Sequence, residues 1–138
     1  MEARILEELW RQKKAQAVRL MEVADLTRQI LQAAERRDEV SVTMLLSMRE
    51  EPITRLGETD AALREYLRTL SREDAIRAAE LLNGAPSESP EEARLCEQVG
   101  QCRRLLESAV ETDSRLSVRM GGQRSFYKMF RTNAPRPR

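Results

Sequence analysis

The stretch Leu6-Glu7-Glu8-Leu9-Trp10-Arg11-Gln12-Lys13-Lys14-Ala15-Gln16-Ala17-Val18-Arg19-Leu20-Met21-Glu22-Val23-Ala24-Asp25-Leu26-Thr27-Arg28-Gln29-Ile30-Leu31 decides the fold. Leu6, Trp10, Ala17, Leu20, Ala24 and Leu31 recur in alternating steps of four and three, with Lys13 and Thr27 filling the same register, and the pattern continues to Ala34. Such steps place side chains on one side of a helix, along the seam at which helices pack as coiled coils or bundles. Leu9, Val23 and Ile30 recur beside it at multiples of seven and widen the stripe. That is more surface than a two-stranded seam uses, so a third helix is expected to cover part of it. Residues 2–36 contain no Gly or Pro and read as one helix of about 50 Å.

Two further segments keep the same register. One runs Val42, Leu46, Arg49, Ile53, Leu56, Asp60, Leu63, Leu67, Leu70; the other runs Leu95, Val99, Cys102, Leu106, Ala109, Asp113, Leu116, Met120. Between the first two lies Arg36-Arg37-Asp38, where Asp38 can accept a backbone N–H bond as the cap of the next helix. Pro52 removes one hydrogen bond from the second helix and predicts a kink or break, although the seam holds register across it. Ser71 is a fresh cap opening a short helix that Asn83-Gly84 closes. Ser89-Pro90-Glu91-Glu92 begins a last long helix, with two acids on the positive end of its dipole. Gly121-Gly122 is expected to end it near Met120. The expected fold is all-α: a long antiparallel hairpin, a short third helix and a long fourth. The helical domain spans residues 1–122, and a disordered basic, aromatic tail spans 123–138.

Composition narrows the chemistry. The chain has no histidine, hence no ordinary base with a pKa near 7 and no histidine metal ligand. Cys96 and Cys102 stand six apart on one helix, about 120° around it, so they neither pair nor form a zinc site. Acid pairs such as Glu7-Glu8 and Glu91-Glu92 point about 100° apart and read as solvated surface. No enzymatic activity, cofactor, metal or small-molecule substrate is expected. No apolar run approaches the ~20 residues of a membrane span, and the N-terminus lacks the pattern of a signal peptide, so a cytoplasmic location is expected.

Charge is uneven. The net charge is +1, but Arg124, Lys128, Arg131, Arg136 and Arg138 give residues 123–138 a local +5 with no acid, leaving −4 for residues 1–122. The body therefore lacks the basic face of a duplex-binding domain. Phe126, Tyr127 and Phe130 share the tail with those cations. They read either as a helix end folding back or as a partner-docking segment, with single-stranded nucleic acid or an anionic membrane a distant third. Lys13, Arg49, Asp60 and Asp113 interrupt the seam. Either their stems cross it with the charged heads reaching water, or they set register and partner choice.

The long first helix, the turn at Asp38 and the segment Asp38-Glu39-Val40-Ser41-Val42-Thr43-Met44-Leu45-Leu46-Ser47-Met48-Arg49, followed by Ile53, Leu56 and a capped C-terminal helix, resemble the flagellar export chaperones of the FlgN type, with the FliT type a near alternative. The resemblance implies a cytosolic protein that binds hook-associated subunits and delivers them to the gate or ATPase components of the type III export apparatus. It implies that Leu105, Leu106, Ala109, Val110, Leu116 and Met120 contact the subunit and Tyr127 the gate. The competing reading is a structural coiled-coil adaptor that self-associates, as a homodimer, or binds a partner helix through the same seam.

Overall fold

The computed structural model describes residues 1–119. Among them it contains four helices and no strand: α1 (Ala3–Glu35), α2 (Glu39–Arg68), α3 (Arg72–Leu82) and α4 (Pro90–Arg119). The expected helix stop at Gly121-Gly122 and the expected disordered tail lie outside the described residues. The all-α architecture, with its long hairpin, short third helix and long fourth, is as the periodicity requires.

Local chemistry sets each boundary. α1 ends with Arg37 at φ 58°, and the amides of Arg37 and Asp38 donate to the carbonyls of Ala34 (3.0 Å) and Ala33 (2.9 Å). This is a Schellman closure with arginine where glycine is usual. Asp38 then caps α2, accepting from the Ser41 amide at 3.1 Å and the Ser41 hydroxyl at 2.6 Å. Ser71 caps α3 through the Asp74 amide, and Ser89 caps α4 through the Glu92 amide. α3 closes in the same way as α1, but here Gly84 supplies the left-handed residue at φ 97°.

α2 runs unbroken through Pro52. An interior proline costs about 3 kcal/mol. Here Leu45, Leu56 and Leu63, buried on both sides of it, hold the helix against α1, and the proline ring is itself buried.

α1 is the central element. Its buried stripe comprises Ile5, Leu6, Leu9, Ala17, Leu20, Val23, Ala24, Ile30 and Ala33, with Leu9, Val23 and Ile30 fully inaccessible. The stripe is wide because α2 packs on one flank and α4 on the other, which is the cover that the widened sequence pattern calls for. Leu63, Leu56 and Leu45 meet α1 in descending order, so α2 is antiparallel to it; Leu95, Cys102, Ala109 and Leu116 meet it in ascending order, so α4 is parallel to it. Cys96 and Cys102 are both free, and the Cys102 thiol donates to the Lys13 carbonyl at 3.1 Å.

Candidate partner-binding groove

α2 and α4 flank α1, yet among the described residues no Cα of one comes within 8 Å of any Cα of the other. Packed helices lie 8–10 Å apart axis to axis and bring Cα atoms closer than that. α2 and α4 therefore meet through side chains and not through close backbone approach, with α1 beneath both. Among the described residues α3 is the one further helix, and it lies at one corner of this layer. There its Cα atoms come within 8 Å of α2 and α4 but not of α1, while Ala78 and Leu81 are buried in one cluster with Ile5, Leu6, Leu9, Leu63, Leu95 and Val99.

Polar contacts lock α3 into that corner. Arg77 donates to Glu92 at 2.6 and 3.2 Å, to Glu80 and to the Pro86 carbonyl. The guanidinium holds the Glu92 carboxyl below its usual range, helped by the Glu88 amide and opposed by burial. The same contact raises Arg77 above its own ordinary value. Arg103 donates to the Asn83 carbonyl, and Cys96 to that of Ala85.

Beyond Arg103 no further described helix lies along α2 and α4. α3 is about 16 Å long against about 50 Å for α1, so among the described residues it runs along one end of the seam between α2 and α4 only. The two walls of that seam are Leu46 and Ile53 from α2 and Leu106 and Val110 from α4, all half-buried. Beneath them Val23, Ala24 and Ile30 of α1 are already covered. Exposed Glu50 and Glu107 stand on the shoulders, one helical turn from Leu46 and Val110 respectively.

One polar crosslink ties the walls together. Arg49 donates to Asp113 at 3.3 Å and to the Thr27 hydroxyl at 3.0 Å, and that hydroxyl donates to the Val23 carbonyl at 2.7 Å. The side chains of Arg49 and Asp113 are 12% and 3% exposed. The reading in which the charged heads reach water does not hold for this pair: the charges meet each other inside. Lys13 behaves differently. It is half-buried, bonds Gln16 at 2.6 Å, and burial lowers its pKa despite Cys102 and Asp60 nearby.

The expected partner-binding residues divide. Leu105, Leu106 and Val110 are half-buried and accessible. Ala109 and Leu116 are not accessible: they are 0% and 3% exposed, packed against Val23 and Ala24 and against Ile30, Ala33 and Leu45. No partner reaches them while α4 stays on α1, because they are what attaches it. Met120, Phe126, Tyr127 and Phe130 lie outside the described residues. The α2 wall, Leu46, Arg49 and Ile53, is absent from the sequence-derived set of contacts. Its signal is the seam itself, whose α2 members outnumber the positions that one neighbouring helix can bury.

Among the described residues no group of three or more His, Cys, Asp or Glu side chains could hold a metal, and no helix is long and apolar enough to cross a membrane. No protein-family model, curated protein or solved structure matches the chain.

Proposed function

We propose that this chain is a cytoplasmic, non-catalytic chaperone that takes an amphipathic helix of a client along the seam between α2 and α4. The observation that supports the reading is the row of half-buried apolar side chains on both sides of the α2–α4 seam, Leu46 and Ile53 facing Leu106 and Val110, along which no further described helix packs. A client helix seated there completes a four-helix layer and buries Leu46, Ile53, Leu106 and Val110, the helix-in-groove mode of recognition. Clients that are disordered when free lose part of the gross interaction energy to ordering, which keeps affinity moderate and release feasible. The FlgN-type resemblance supplies the client class, flagellar hook-associated subunits awaiting type III export.

The test is titration of the purified full chain with a purified hook-associated subunit by calorimetry, at low and high salt. The expected result is binding that changes little with salt, since the contact is apolar, and that Leu106→Asp abolishes without unfolding the chain. Steep weakening with salt would instead mark an electrostatic contact.

A second reading, self-association as a coiled-coil adaptor, draws on a different surface. Val40, Met44 and Met48 recur every fourth residue along α2 and are 82%, 56% and 53% exposed. Sedimentation of the wild type and of Met44→Lys with Met48→Lys over a concentration series separates this reading from a client-binding monomer.

A further inference from the structure

The client reading leaves one groove of the molecule unused. It lies between α1 and α2 and has a volume of about 330 Å³. Arg19, Glu22, Asp25 and Leu26 line it from α1, and Met48, Glu51 and Pro52 from α2, with no residue of α4. Its apolar lining, Leu26, Met48 and Pro52, is thus flanked by three acids and one cation. Met48 is 53% exposed, and Met44, one turn along the same face of α2, is 56% exposed.

We propose that this groove is the docking site of the chain's own C-terminal segment, residues 120–138. The segment sets an aromatic side chain among Phe126, Tyr127 and Phe130 on Leu26, Met48 and Pro52, and its cations on Glu22, Asp25 and Glu51. The inference does not rest on the chaperone reading. Three observations support it.

The first is reach. Arg119, the last residue of α4, donates to the Glu35 carbonyl at 3.4 Å, so the segment leaves the body beside the end of α1. Asp25 and Leu26 stand about 15 Å back along α1, and crossing the end of the bundle adds roughly one helix diameter, about 10 Å. An extended chain covers up to about 23 Å from residue 120 to 126 and about 36 Å to residue 130. The groove falls within the span of residues 126–130.

The second is charge. The lining carries three acids against one arginine, a net −2. Arg124, Lys128, Arg131, Arg136 and Arg138 give the segment +5 with no acid. The three acids already meet arginines of their own helices, Glu22 with Arg19, Asp25 with Arg28 and Glu51 with Arg55. Those pairs stand at the surface, where they hold weakly and a further cation can join or replace them.

The third is chemistry. The chain has one Trp, two Tyr and two Phe, and three of these five fall within positions 126–130, beside Met129. Methionine is flexible and polarizable, adapts to irregular surfaces and packs favourably against aromatic rings. The groove offers Met48 and, one turn on, Met44. The other two aromatics, Trp10 and Tyr66, pack in the cluster at the opposite end of the bundle. A ring found at Met48 therefore identifies the C-terminal segment.

The test is NMR of the full chain carrying ¹³C-labelled methionine methyl groups. Met21, 51% exposed and about 140° around α1 from Leu26, is the internal control. In the wild type the Met48 methyl is expected to show nuclear Overhauser contacts to aromatic ring protons and an upfield ring-current displacement. Phe126→Ser with Tyr127→Ser and Phe130→Ser is expected to abolish both and leave Met21 unmoved. Glu22→Lys with Glu51→Lys, which keeps the apolar lining, is expected to reduce the displacement by half or more. Absence of the contacts in the wild type, a displacement that persists undiminished in either variant, or an equal displacement of Met21 would overturn the proposal. Contacts between a methyl-labelled chain and the rings of a separately labelled one, growing with concentration, would give the groove to the segment of a second copy and would also overturn it. If a variant failed to fold by circular dichroism, the contacts in the wild type would decide.

Discussion

The two ends of the bundle are built from the same helices and differ in one respect. At the end where α1 begins, α3 closes the fourth corner, and Leu9, Leu81, Leu95 and Val99 form the largest apolar cluster. At the end where α1 finishes, no described helix takes the place of α3, the apolar clusters are smaller, and a buried ion pair joins α2 to α4. The closed end spends its apolar surface on stability. The open end leaves Leu46, Ile53, Leu106 and Val110 half-covered and holds its shape partly through charge. Among the described residues, the difference is between an end packed by four helices and an end packed by three.

The sharpest way to break that comparison is to remove one member of the buried pair. Asp113→Ala leaves Arg49 charged and nearly enclosed, and is expected to cost about 3–5 kcal/mol in urea unfolding. Arg49→Leu with Asp113→Leu is expected to be close to neutral. If the single variant were as stable as the wild type, the pair would not be holding the open end.

Large-to-small changes on either side test the packing asymmetry. Leu81→Ala, in the closed end, is expected to cost about 3 kcal/mol; Ile53→Ala, on the open wall, about 1 kcal/mol, because half of its surface is already in water. Equal losses would mean that the seam is as well packed as the core.

A smaller gain is expected at the turn between α1 and α2. Arg37 sits in the left-handed region at φ 58°, where Gly84 sits in the equivalent turn after α3. Arg37→Gly relieves that strain and is expected to stabilise by about 0.5–1 kcal/mol, seen as a higher melting temperature. Gly84→Ala goes the other way, since its new Cβ would also stand 3.0 Å from Arg103 Nη1.

The smallest effect is expected in acid. The Glu92 carboxyl is lowered from its ordinary 4.5, first by the Arg77 hydrogen bonds, so its contribution is fully present above about pH 4.5 and is lost as pH falls through the lowered folded value. Melting curves at descending pH should show part of the acid destabilisation missing in Glu92→Gln. An identical pH profile would show that the Arg77 clasp contributes nothing to the closed end.

Much of the fold could be read from the sequence. The seam of α1 and its widening by Leu9, Val23 and Ile30 call for two covering helices, and two cover it. Asp38, Ser71 and Ser89 announce their caps, and each accepts the expected amide. Less of the candidate site was legible. Leu106 and Val110, which appear among the sequence-derived contacts, are half-buried, but Ala109 and Leu116 from the same set are core, because one seam pattern marks both the residue that attaches a helix and the residue left at its edge. Leu46 and Ile53 of α2 stand at such an edge too.

The sequence by itself determined where the helices start and stop and which stripe of each is apolar, since periodicity, caps and turn residues act within a few residues of one another. The tertiary structure decided how those stripes are shared. An apolar stripe records that a surface wants cover, not which neighbour supplies it. Only the packed chain shows that α2 and α4 each pack on α1 without close backbone approach to one another, while an 11-residue α3 reaches both. That is also why Arg49 and Asp113, 64 residues apart in the chain, read singly as interruptions and become a pair only when α1 brings its two flanks together.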